Sequence, residues 1–130
     1  MLLPDSSAWI EFLRGTGTAV ALRMRRAIAD GEAVVIDPVL LEVVAGARAD
    51  RLGRTRRLLM SQRTAPLVPR GDWLEAAMIY QAMRRDGITI RSHIDVLIAA
   101  AAIRLGLEVL HSDRDFDFIA DKTSLRIAPT

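Results

Sequence analysis

Asp5, Glu42, Asp95, Asp113 and Asp115 are the residues of this 130-residue sequence best suited to chemistry. Each follows or interrupts an apolar run, so folding draws several of them towards the interior. An isolated carboxylate is expensive to bury, and like charges brought together raise one another's proton affinity. A converging set of acids normally persists because a cation neutralises it. The sequence contains no cysteine, so oxygen and imidazole are the only ligands on offer. His93 and His111 lack the spacing of a metal-binding histidine pair and read as structural or surface groups. Hard carboxylate oxygens favour Mg2+ or Mn2+. Such a centre can activate water, which makes the pattern that of a metal-dependent hydrolase.

Each acid also has a purely structural reading. Asp5 could cap a helix, although Ser6 and Ser7 beside it could do the same. Asp95 stands three residues after Ser92, the spacing of a capping box, and its place near a helix start favours its ionised form. Glu42 lies within Val39-Leu40-Leu41-Glu42-Val43-Val44, a turn with almost no polar face, where a merely solvated role is unnatural. Asp113, Asp115 and Asp117 resemble the start of a calcium loop. That reading fails because Phe118 and Ser124 occupy the positions that require glycine and glutamate. Trp9 and Trp73 read as core or interface anchors.

The elements that must position these residues alternate along the chain. Met1 to Leu3 reads as a short buried strand ending at Pro4, which removes a strand N–H and casts doubt on pairing there. Ser6 or Ser7 then caps a helix that runs to Arg14 and Gly15. Val20, Met24, Ala27 and Ile28 keep helical spacing, and Ala33 to Ile36 forms a second strand. Asp37 caps a helix from Pro38 to Ala47 that carries Glu42. A basic helix follows from about Arg51 to Met60, then a short strand at Leu67-Val68 between two prolines. Asp72 and Glu75 open a helix in capping-box fashion, closed by Gly87. From His93 to Leu105 the apolar positions hold helical spacing without a miss, with Gly106 as the stop. Val109-Leu110, a Phe116 to Ala120 helix and a Leu125 to Ile127 strand complete the chain. Strands separated by helices imply an α/β fold with a mainly parallel sheet flanked by helices on both faces. Ligands gather at the carboxyl ends of such strands, where Asp5 and Asp113 both fall.

Length bounds the chain to one domain, residues 1–130, with a single core. The longest wholly apolar stretch, Val96 to Ile103, is far too short to span a bilayer, and the N-terminus lacks the basic start of a signal peptide. A cytoplasmic protein without membrane attachment is expected. Arginine supplies 17 of the 18 basic residues. Its planar fork suits phosphate and carboxylate partners, but the sequence does not single out which arginines would meet them.

Asp5-Ser-Ser-Ala-Trp-Ile, Glu42 on an early helix, Asp95-Val-Leu-Ile-Ala-Ala and His111-Ser-Asp-Arg-Asp-Phe-Asp-Phe-Ile-Ala occur in an order that resembles the PIN-domain ribonucleases. The resemblance covers essentially the whole chain and is nearest to the VapC-type toxins of bacterial toxin–antitoxin pairs. It implies a PIN-like three-layer fold and a metal-dependent endoribonuclease. It also implies a catalytic quartet of Asp5, Glu42, Asp95 and Asp113, with Asp5, Asp95, Asp113 and Asp115 as metal ligands and Ser6 in support. Glu42 would either ligate a second ion or orient the attacking water. The implied cofactor is Mg2+, with Mn2+ as a substitute. The implied partners are RNA, a cognate antitoxin and a second copy, the last consistent with apolar side chains at Trp9, Trp73 and Tyr80. A catalytically silent module that keeps the fold to bind RNA or an antitoxin is the alternative, and the intact acids argue against it. A phosphatase with an aspartate nucleophile is disfavoured because Asp5-Ser6-Ser7 lacks a second aspartate two residues on.

Overall fold

A computed structural model describes residues 1–130 and contains five strands and seven α-helices. β1 (Leu2–Pro4) is buried throughout and leads into α1 (Ser6–Arg14). Asp5 itself caps α1, accepting from the Ala8 N–H, so neither Ser6 nor Ser7 takes the role the sequence allowed them. Gly15, at φ +66°, stops the helix in the left-handed conformation that glycine adopts freely. α2 (Ala19–Ala29) is capped by Thr18, and β2 (Val34–Val35) follows. α3 (Asp37–Ala45) takes Asp37 into its first turn, so Ile36 holds the cap position without a side-chain bond. A 3-10 turn at Ala49–Arg51 precedes α4 (Leu52–Met60) and β3 (Arg63–Thr64). α5 (Gly71–Arg85), α6 (His93–Leu105), β4 (Glu108–Leu110), α7 (Asp115–Lys122) and β5 (Arg126–Ile127) complete the chain.

All strand pairs are parallel. β4 lies between β1 and β5, and β2 pairs with β3. One bridge, Leu2 to Ala33, joins the two groups. The order is therefore β3-β2-β1-β4-β5, with β1 and β4 at the centre. Pro4 does not interrupt the pairing with β4, because it remains in register with Leu110. The next N–H, that of Asp5, bonds the Leu110 carbonyl at 3.0 Å, so by strand alternation the Pro4 nitrogen faces the β2 side. There a missing donor explains why contact between β1 and β2 shrinks to one bridge.

With right-handed crossovers, the connections from β1 out to β3 place α1 to α4 on one face of the sheet. The return connections to β4 and β5 place α5, α6 and α7 on the other. Packing agrees: α1 contacts α2 and α3, α3 contacts α4, and α5, α6 and α7 contact one another. α6 is the central helix. Val96 to Ala102 are all buried, and its four consecutive alanines present no bulk beyond Cβ, so the helix can lie close against its neighbours. Trp9 and Phe116 are the largest fully buried side chains.

Two local expectations change. Leu67-Val68 forms no strand; the partner of β2 is instead the exposed pair Arg63-Thr64. Asp72 caps nothing, since Arg70 at φ +64° precedes α5 without a side-chain bond. Asp72 is a buried ion-pair partner. Arg104 donates to its two oxygens from Nε at 2.8 Å and Nη2 at 2.9 Å, and the Val68 N–H bonds it at 2.8 Å. These bonds hold its carboxyl below the usual range, the Arg104 contact acting most strongly.

Candidate active site

Four elements meet at the carboxyl ends of β1 and β4. β1 delivers Asp5, the turn after β4 delivers Asp113, α7 begins with Asp115, and α6 delivers Asp95 from its first turn. α3, which packs against α1 and α6, carries Glu42. Asp95, Asp113 and Asp115 each place a carboxylate oxygen within 4.8 Å of the others. Asp5 lies beside this triad, not within that mutual distance, and its negative charge is felt at Asp95.

Electrostatic crowding is greatest at Asp95, which is 9% exposed. Burial, and after it the charges of Asp113, Asp5, Glu42 and Asp115, push its carboxyl up from 3.8 to about 7. The capping-box reading of this residue is not realised, because Ser92 caps α6 through the Ile94 N–H at 3.2 Å and the Asp95 carboxyl makes no cap bond. Asp5 is likewise buried, which pushes it to about 6. Hydrogen bonds from Ser7 Oγ at 2.7 Å and the Ala8 N–H at 3.0 Å oppose the rise.

The remaining acids are held individually. Ser6 Oγ donates to Glu42 Oε1 at 2.5 Å, tying α1 to α3 across the mouth of the site. Arg91 donates from Nη2 to Asp113 at 2.9 Å, and from Nε and its own backbone N–H to Asp115 at 3.2 and 3.1 Å. The Asp115 N–H also bonds Asp113 Oδ1 at 3.0 Å. Asp117 stands apart and meets His111 Nε2 at 3.1 Å. The other imidazole nitrogen accepts the Asp113 N–H at 3.0 Å, so the neutral ring carries its proton on Nε2 and donates to Asp117. The structure thus brings Asp5, Glu42, Asp95, Asp113 and Asp115 to one place, with Ser6 on Glu42, and leaves Asp117 outside.

Three contributors were not identified from sequence. Ser7 looked only like a cap, yet its hydroxyl also accepts the Ser112 N–H at 2.8 Å and so links the β1 and β4 ends. His111 read as a structural or surface group without an assigned role, and the structural reading holds: it braces the Asp113 turn, its side chain 8% exposed. Arg91 is one arginine among many, and nothing in its local pattern distinguishes it.

The profile of the PIN domain matches residues 2–122 of this chain. The chain belongs to the PIN domain family. Its relatives include "VapC ribonuclease Mb1587" of Mycobacterium bovis and "Ribonuclease VapC11" of Mycobacterium tuberculosis. Each is 40% identical over 131 residues, spanning 98% of this chain and 98% of the relative. Among solved structures, one chain of VapBC2 from Rickettsia felis, bound to a DNA fragment from their promoter, superposes with a TM-score of 0.73. That match covers 98% of this chain and 96% of the other; at 13% identity it speaks to the fold alone.

The donor set of this PIN domain suits a divalent cation. The triad offers only hard carboxylate oxygens, and two buried carboxyls, Asp95 and Asp5, have raised proton affinity because burial disfavours their charge, at Asp95 with the neighbouring acids adding to it. A cation held there would reverse both shifts. No helix of this PIN domain is long and apolar enough to cross a membrane.

Proposed function

We propose that this chain is a metal-dependent endoribonuclease and the toxin component of a toxin–antitoxin pair. The observation that carries the proposal is the convergence of Asp5, Glu42, Asp95, Asp113 and Asp115, with Asp95 pushed to about 7 by burial and its acidic neighbours. Identity of 40% across nearly the full length of relatives named ribonucleases supports the same activity here. Asp95, Asp113 and Asp115 would hold Mg2+, with Mn2+ as a substitute, and Asp5 would add a fourth carboxylate. A cation bound there supplies Lewis-acid stabilisation of charge on the phosphate oxygens and lowers the pKa of water.

The chain's own groups do the rest. Asp95 and Asp5 would hold the cation as carboxylates, so its binding would oppose the proton affinity that burial gives them, most of all at Asp95. Ser6 fixes the Glu42 carboxylate at the mouth, where it can orient an attacking water. Ser7 bonds both Asp5 and the Ser112 N–H, so the carboxylates of β1 and of the turn after β4 keep their separation when charge changes. The substrate is RNA. The cellular partner is a cognate antitoxin, in line with relatives of the VapC type. The molecule is one domain over residues 1–130, acts in the cytoplasm and pairs with a second copy. Trp73, Leu74 and Met78 of α5 are exposed and supply the apolar surface for pairing, whereas Trp9, fully buried, does not contribute.

Purified protein should cleave single-stranded or loop RNA with Mg2+ or Mn2+, and excess chelator or Asp5→Asn should each abolish cleavage. Expressed alone in a bacterial host it should arrest growth, and Asp5→Asn should be harmless. Full cleavage in chelator would overturn the metal dependence. Harmless, well-expressed wild-type protein would overturn the toxin assignment.

A further inference from the structure

An acidic centre repels the phosphates of its substrate unless positive charge stands beside it. Of the 17 arginines, Arg91 is the one that forms ion pairs with the acid cluster, reaching Asp113 at 2.9 Å and Asp115 at 3.2 Å. Arg48, which lines the cleft beside Glu42, pairs instead with Asp50. The Arg91 side chain is 66% exposed, whereas Asp115 beneath it is 4% and Asp113 23% exposed, so the guanidinium is a bridge from one buried and one half-buried carboxylate to solvent. It engages Asp113 through Oδ1 and Asp115 through Oδ2, leaving the other oxygen of each carboxylate outside these contacts. A guanidinium carries five N–H donors, so those not given to the carboxylates remain for an anion arriving from solvent.

We propose that Arg91 is a phosphate-binding and positioning residue of this site. One edge of its fork orients Asp113 and Asp115; the outer edge takes a non-bridging phosphate oxygen of the RNA beside the bond to be cut. The backbone N–H of Arg91 bonds the same Asp115 oxygen as Nε, so the side chain leaves its own backbone already aligned with the carboxylate it serves. Lysine could supply the charge but not a planar fork shared between two carboxylates and a phosphate.

This inference rests on the ribonuclease reading, and the experiment separates the two. Binding of a short fluorescent single-stranded RNA is measured by anisotropy across a salt series with Mg2+ present. The background is Asp5→Asn, which keeps a capping side chain and prevents turnover. Adding Arg91→Gln should weaken binding about fivefold and reduce the magnitude of the log–log salt slope by about 0.7, the single-strand value for one phosphate contact. Arg91→Lys should retain the slope and part of the affinity. Arg26→Gln, on α2 near the opposite end of the strands, removes equal charge and should change neither. If the Asp5→Asn protein binds RNA and Arg91→Gln leaves affinity and slope unchanged, the role of Arg91 is overturned and the ribonuclease reading stands. A slope lost equally in Arg91→Lys also overturns it. If wild-type protein neither binds nor cleaves RNA, the ribonuclease reading falls and Arg91's role with it.

Discussion

Replacing Asp95 by asparagine should stabilise the metal-free protein at high pH. The folded carboxyl ionises near 7 against 3.8 when unburied, because burial and four acidic neighbours disfavour its charge. At about 1.4 kcal/mol per pKa unit the difference amounts to about 4 kcal/mol. Solvent at the mouth of the site screens part of this, which leaves about 2 kcal/mol. A raised carboxyl binds more protons in the folded state than in the unfolded state, so stability falls as pH rises from about 4 to about 7 and then levels off. Asparagine stays neutral throughout, and its amide can donate to neighbouring carboxylates. In excess chelator at pH 8, Asp95→Asn should therefore melt roughly 8 °C above wild type, at roughly 4 °C per kcal/mol for a domain of this size. At pH 5 the gain should fall to less than half, and at pH 4 it should vanish. Thermal melts at the three pH values, read by circular dichroism, measure the difference. A variant no more stable than wild type at pH 8 would show that the Asp95 charge is not held at an energetic disadvantage and calls for no cation to offset it.

Added Mn2+ should raise the melting temperature of wild type through linkage, and Asp95→Asn with Asp113→Asn should erase the rise; a metal response unchanged in the double variant would move the site elsewhere. Arg104→Leu should cost about 2 kcal/mol in chemical denaturation by stranding the buried Asp72 carboxylate, and a loss below about 0.5 kcal/mol would show that Asp72 finds other partners. Light scattering should report a dimer of the 14.3 kDa chain at micromolar concentration, and Trp73→Glu should shift it to monomer; a wild-type monomer at that concentration would refute pairing through α5.

The parts of this molecule that were legible in sequence share a strong local pattern or a topological rule. α6 could be read because eight consecutive apolar residues with helical spacing admit no other packing, and Ser92 and Gly106 mark its ends. Asp5 and Asp113 could be placed together because parallel sheets collect ligands at the carboxyl ends of their strands. What failed depended on partners distant in the chain. Asp72 mimics a capping residue, and only Arg104, on another helix, reveals it as half of an ion pair. β3 is a polar, exposed pair of residues whose strand character comes wholly from backbone pairing to β2, so hydropathy drew attention to Leu67-Val68 instead. Pro4 looked like a break because sequence does not say which neighbour its missing N–H would face. Arg91 has no motif of its own, and acquires meaning only from where Asp113 and Asp115 end up.

The pairing of Leu2 with Glu108 also governs when the acidic site can assemble. β1 leaves the ribosome well before its central neighbour β4, with β2, β3 and α1 to α6 between them. Until Glu108–Leu110 and the following turn emerge, Asp5 has no Asp113 or Asp115 to meet, and α6 lacks the strand that seats it. Contacts of such high sequence separation form late and slowly, after closure of the long loop from Leu2 to Glu108. Translation thus imposes a delay: a nascent or prematurely terminated chain carries Asp5, Glu42 and even Asp95, yet holds no assembled centre.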